Sequence, residues 1–196
     1  MNENSPFDVL LPAVQEVTAY AQSNINCDAV RRAAKLGKRR LVCHANTAER
    51  KIPAMYVHYI YPKKGIFTRA FVVVDGSEGL SYVTASRLPD ANKVILSVVH
   101  SHAINRFVER RQYKGTIDEA TQYILDGIMA NSSAEDTLNQ THYIYFDGGA
   151  FLCNFSRGVQ HIRTFVMNRQ LYPYQRIKSL ESEKHTKELQ RELGMI

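Results

Sequence analysis

The chain has 196 residues, 44% of them hydrophobic and 22% charged, enough apolar material for one domain with its own core. No apolar run approaches the roughly 18 residues that a membrane-spanning helix needs, so no membrane association is expected. The net charge of +6 is local: six basic residues fall in "RRAAKLGKRR" (31–40), and outside that block 19 basic residues face 19 acidic ones.

A patch of that kind neutralises phosphates, which makes Arg31, Arg32, Lys35, Lys38, Arg39 and Arg40 candidate nucleic-acid contacts. Three widely spaced cysteines, Cys27, Cys43 and Cys153, form no C-x-x-C pair and read as free thiols in a reducing compartment. The first residues lack a basic segment followed by a long apolar stretch, so no secretory signal is expected and the cytoplasm is the default location.

In chain order, "PFDVLLPAVQEVTAYAQ" places Val9, Leu10, Val14, Val17 and Ala21 at near-helical spacing, with Pro12 as an early break or kink. "CDAVRRAAKLG" predicts a short helix with Asp28 as N-cap and Gly37 as stop. Between Met55 and Val99, "MYVHYIY", "FTRAFVVV", "LSYVTAS" and "VILSVV" are β-branched and aromatic, separated by turn-forming segments, and predict an antiparallel meander.

Two helices follow, one from Ser101 to about Gln112. The other is opened by a Thr116/Glu119 capping box and carries an apolar stripe of Ile117, Ala120, Ile124 and Ile128. Asp147-Gly148-Gly149 predicts a hairpin, and "VQHIRTFVM" a last strand. From Leu171 the mixed charges predict a solvent-facing helix or arm. The expected fold class is α+β, an antiparallel sheet (meander plus C-terminal hairpin) packed by helices. It divides into a basic helical N-terminal extension (1–50), an α+β core domain (51–170) and a charged C-terminal tail (171–196).

The chemistry concentrates in "HSHAINRFVERR" (100–111). On a helix of about 100° per residue, His102, Arg106, Glu109 and Arg110 share one face, and Ile104, Phe107 and Val108 the other. The first three residues are similar to the His-Ser-His of JAMM metalloproteases. That pattern continues with a proline where Ala103 stands, and Thr116 with Asp118 comes at the wrong spacing. Arginines on the same face would also repel a metal cation, so no metal or other cofactor is expected.

Phosphate chemistry uses every polar group on that face. Histidine serves as acid or base near neutral pH, and arginine grips phosphate bidentately without losing its charge. "SHAINRFVERR" also resembles the H-A-x-x-R-x-x-x-R helix of BECR-type bacterial toxin domains, the barnase-, colicin- and RelE-like ribonucleases. Position by position the match covers His102, Ala103, Arg106 and Arg110, with Glu109 beside them.

The resemblance spans about residues 94–168 and implies a helix packed on a small antiparallel sheet, with Thr164 or His161 on a closing strand completing a metal-independent site. On a regular strand, His161 and Thr164 would face opposite sides, so only one of them looks at the site. His58 and His142, inside aromatic strands, read as packed or surface residues.

The expected function is therefore metal-independent RNA cleavage by acid–base catalysis, in a toxin-like protein whose partners are RNA or other nucleic acid and a protein such as an antitoxin. The alternative is a non-catalytic nucleic-acid-binding or assembly protein of a phage or mobile element. In that case the 31–40 patch dominates.

Overall fold

A computed structural model describes residues 6–37, 40–46, 51–61, 65–76, 79–87, 94–130, 133–136 and 141–192. Helix α1 (Pro6–Ser23) and helix α2 (Cys27–Lys35) precede five strands: β1 (Arg40–Asn46), β2 (Pro53–Tyr61), β3 (Gly65–Gly76), β4 (Gly79–Arg87) and β5 (Val94–Val99). Helices α3 (Ser101–Arg111) and α4 (Ile117–Ala130) follow. The chain closes with β6 (Ser133–Asp136), β7 (Thr141–Phe146), β8 (Gly149–Ser156), β9 (Val159–Met167) and helix α5 (Pro173–Glu192).

The described strands form one sheet in the order β1-β2-β3-β4-β5-β9-β8-β7-β6. The class is α+β as the pattern predicts, but the sheet is mixed. Two antiparallel runs meet at a parallel pair, β5 and β9, with Val98 opposite His161 and Val99 opposite Ile162. Parallel neighbours need a long crossover, and α3, α4 and β6–β8 supply it.

Alternation along the strands gives the sheet two apolar faces. On one, Met55, Val57, Phe71, Val99, Ile144, Phe151, Ile162 and Phe165 pack with Ala103, Ile104 and Phe107 of α3 and Ile124, Leu125 and Ile128 of α4. Gly127 allows the close approach of α4: a Cβ there would lie 1.8 Å from a ring carbon of Phe146. On the other face, Ala13, Val14, Val17 and Ala21 of α1 cover Ala54, Tyr56, Ala70, Val72, Val83, Leu96 and Val98. Val30 and Ala33 of α2 pack on Ile60 of the same face.

Local signals behave as read in several places. Thr116 and Glu119 form the reciprocal capping box, Thr116 N–H donating to Glu119 (2.7 Å) and Glu119 N–H to Thr116 Oγ1 (3.2 Å). Asp147 and Gly148, at φ +43° and +70°, make the two-residue turn between β7 and β8.

Four expectations change. The N-cap of α2 is Asn26, whose side chain accepts from Ala29 N–H, rather than Asp28. Helix α1 runs through Pro12 without ending there. Residues 40–46 form a strand of the sheet and α1 buries its apolar stripe, so the described part of the first 50 residues is built into the core rather than appended to it. Helix α5 does not simply face solvent: Gln175 and Ser179 are fully buried, and Ser179 donates to the Gly149 carbonyl at 2.9 Å. Its inward face is polar and therefore reads in sequence as surface.

Candidate active site

His100 directly follows β5, and His161 stands third in β9, beside the end of β5. His100 continues the parity of Val98, which faces α1, and its backbone N–H donates to the Ile162 carbonyl at 3.1 Å. That register puts His100 Nε2 3.1 Å from His161 Nδ1, with the two rings stacked at 5.3 Å between centroids. His100 is also the extended N-cap residue of α3.

The pair lines a cavity of about 400 Å³ with Ser81, Gly79, Ser101, Arg163 and an apolar wall of Leu10, Val74, Val83 and Val98. Burial, and then the Arg163 guanidinium, hold His161 below the ordinary histidine value. Its ring is therefore mostly neutral near pH 7.

Two imidazoles joined through one nitrogen each have a fixed complementarity when both are neutral. If His100 donates, its other nitrogen is a base while His161 keeps an N–H outside the bond. If His161 donates, the roles exchange. Either way the two rings together contain one N–H and one lone pair besides the atoms of their own hydrogen bond. Arg163 is exposed, with a long contact from its Nε to Asn154 Oδ1 at 3.4 Å, and supplies positive charge at the cavity.

The expected site residues are distributed differently. Helix α3 carries His102, half-buried in its first turn, and Arg106 ion-paired to Glu109 at 2.7 Å on the exposed side. Arg110 turns to the sheet, where its guanidinium donates to the Phe165 carbonyl and ties α3 to β9. Next to it, Arg111 pairs with Asp147 through two contacts of 3.1 and 3.2 Å.

Thr164 pairs with Leu152 and lies on the α5 side of the sheet, opposite α3. The expectation that His161 and Thr164 face opposite sides fails, because β9 bulges: Leu152 pairs Thr164 while Cys153 pairs Ile162, leaving Arg163 unmatched. One extra residue reverses strand parity, so His161 and Thr164 share a face and Arg163 is the bulged residue. The helical-face argument begins at His102 and leaves His100 out. The available signal was its parity with Val98 along "VILSVVH".

In the basic block, Arg31, Arg32 and Lys35 are exposed along α2, with Arg31 paired to Asp28 at 3.3 Å. Lys38 and Arg39 lie outside the described residues. Arg40 is withdrawn from the surface, 17% exposed. Its Nε lies 2.9 Å from Asp126 Oδ2, and its Nη1 donates to Gln122 Oε1 at 3.1 Å. Tyr59 donates to the other Asp126 oxygen at 2.6 Å. Burial pushes the Asp126 carboxyl up to about 6, outweighing Arg40 and the Tyr59 hydrogen bond.

His58 is packed as expected, buried against Tyr56 with Nδ1 2.8 Å from Thr68 Oγ1. Among the described residues no group of three or more His, Cys, Asp or Glu is arranged to hold a metal, and no helix is long and apolar enough to cross a membrane. The chain matches no known protein family, no curated protein and no solved structure.

Proposed function

We propose that this chain is a metal-independent, endoribonuclease-like protein whose acid–base unit is the His100–His161 pair rather than the exposed face of α3. One observation carries the reading: two imidazoles 3.1 Å apart line a cavity that Arg163 also lines. Cleavage of RNA by its own 2′-hydroxyl needs a base for that proton, an acid for the leaving 5′-oxygen, and positive charge for the phosphate. A neutral pair would offer the first two, and Arg163 supplies the third. Helix α3 begins at the cavity with Ser101. Its outer residues are His102 and Arg106, the latter ion-paired to Glu109.

The test is labelled total RNA incubated with the full chain in excess EDTA, beside His100→Ala and His161→Ala. Cleavage by the parent alone, leaving 2′,3′-cyclic phosphate ends, is the expected result. Full activity in either variant, or a parent that cuts nothing, removes the proposal.

A second reading, nucleic-acid binding without catalysis, is favoured by the exposed row of Arg31, Arg32 and Lys35 on α2. Replacing all three with glutamine should then lower the salt slope of binding to single strands by about 2, roughly 0.7 for each lost phosphate contact. An unchanged slope in a filter-binding titration rejects α2 as the footprint.

A further inference from the structure

A second cavity, of about 300 Å³, lies under the first two turns of α4. Gly79 lines the histidine cavity and Leu80 this one, so consecutive residues of β4 put the two sites on opposite faces of the sheet. Its floor is apolar: Pro53 and Met55 from β2, Val73 from β3, and Leu80 from β4. His44 on β1 and Tyr82 on β4 flank that floor, while Asp118 and Gln122, one helical turn apart, reach it from α4.

The polar groups here are oriented and unspent. Arginine has only donors, so the oxygen of Gln122 is the atom that meets Arg40 at 3.1 Å, and its –NH2 is left to donate. Among the described residues that –NH2, the Asp118 carboxylate and the His44 ring have no hydrogen-bond or ion-pair partner. Burial, and then the Asp118 charge, push the Tyr82 phenol up, and both residues line the cavity. A carboxylate that accepts and an amide that donates, side by side over an apolar floor, form a pocket for a flat polar ring.

We infer that this cavity binds a heterocyclic lactam, a planar ring whose N–H lies beside a carbonyl, with guanine-type rings fitting best. The two Asp118 oxygens accept adjacent ring N–H groups, as on the N1–H and N2 amine of guanine. The Gln122 –NH2 donates to the neighbouring carbonyl, and Met55, Leu80 and Tyr82 contact the ring surface. Adenine presents a bare nitrogen where the lactam carries its proton, which sets a lone pair against a carboxylate and leaves the amide without an acceptor. Guanine from a nucleoside and a free pterin share this edge.

The site does not depend on the proton-transfer pair, and a ligand without phosphate keeps the two apart. The full chain is titrated calorimetrically with guanosine, adenosine and a simple pterin, beside Asp118→Asn and Gln122→Glu. Asp118 is exposed, and the carboxylate that Gln122→Glu introduces still accepts from Arg40. Far-UV circular dichroism verifies that both variants fold.

Saturable guanosine binding, at least tenfold weaker in both variants, with adenosine inert, is the expected result. Tighter binding of the pterin than of guanosine supports the lactam site and assigns it to a free pterin. No binding of either lactam at millimolar concentration overturns the inference. So does equal binding of adenosine, or guanosine affinity unchanged by Asp118→Asn.

Discussion

Two polar clusters in this molecule look alike as inventories and differ in what surrounds them. His100, His161 and Arg163 stand at the end of the parallel strand pair, open to a cavity. Arg40, Asp126, Tyr59 and Gln122 stand between α4 and the first two strands, where contacts of 2.6, 2.9 and 3.1 Å run within the cluster itself. The closed cluster joins a helix to a sheet through an ion pair and two hydrogen bonds. The open one lines a cavity of about 400 Å³. Titratable groups are candidates for chemistry when a cavity reaches them, and structural when their partners enclose them.

The largest effect should come from the open cluster. His161→Ala should lower RNA cleavage by about 10²–10⁴-fold, the usual contribution of a positioned acid–base group. Chemical denaturation should show little change, because the ring is half-buried beside a cavity. Equal losses of stability and cleavage would place His161 among the enclosed groups instead.

Next comes the closed cluster. Arg40→Met leaves the Asp126 carboxylate buried without its cation and should cost about 3–5 kcal/mol of unfolding free energy. The remaining folded fraction should cleave RNA at the parent rate. A denaturant midpoint within error of the parent would mean that the pair contributes nothing to holding α4.

The pH dependence of the closed cluster has a definite sign. Asp126 titrates near 6 when folded, against 3.8 for an ordinary carboxyl. The folded state therefore binds the proton more tightly. The stabilisation this gives is complete below about pH 4 and is lost as pH rises through 6. An amide at this position does not titrate, so the stability of the parent relative to Asp126→Asn should fall by up to about 3 kcal/mol between pH 4 and pH 8. Parallel stability curves for the two proteins across that range would contradict the assignment.

The smallest effect is again at the open site. His161 is held below 6.5 by burial and by Arg163, so the base form persists into mildly acid solution and the acid limb of cleavage should lie under that value. Arg163→Gln removes one of the two causes. It should move the limb upward while weakening RNA binding. A limb that stays in place shows that the guanidinium does not act on this ring.

Much of the fold was legible because it is local. The Thr116–Glu119 box, the Asp147–Gly148 turn and the β-branched strands each depend on residues a few positions apart. Helix α3 divides as its periodicity predicts, with Ala103, Ile104 and Phe107 buried and Arg106 and Glu109 outward. The site was harder. His161 was recognisable as a candidate, but its partner His100 is 61 residues away in sequence. The bulge that puts Thr164 and His161 on one face leaves no mark in composition. Arg110, read as a phosphate ligand, meets the Phe165 carbonyl instead, a main-chain partner that no side-chain pattern announces.

By itself, then, the sequence determined the α+β class, the positions of most helices and strands, and the concentration of histidine and arginine around 100–111. Those follow from periodicity, capping and turn chemistry, which act over a few residues. Only the tertiary structure decided that β5 and β9 lie side by side, which histidines meet, and which arginines are occupied. Those outcomes depend on pairing between distant segments, where a single bulged residue reverses the face that every later side chain presents.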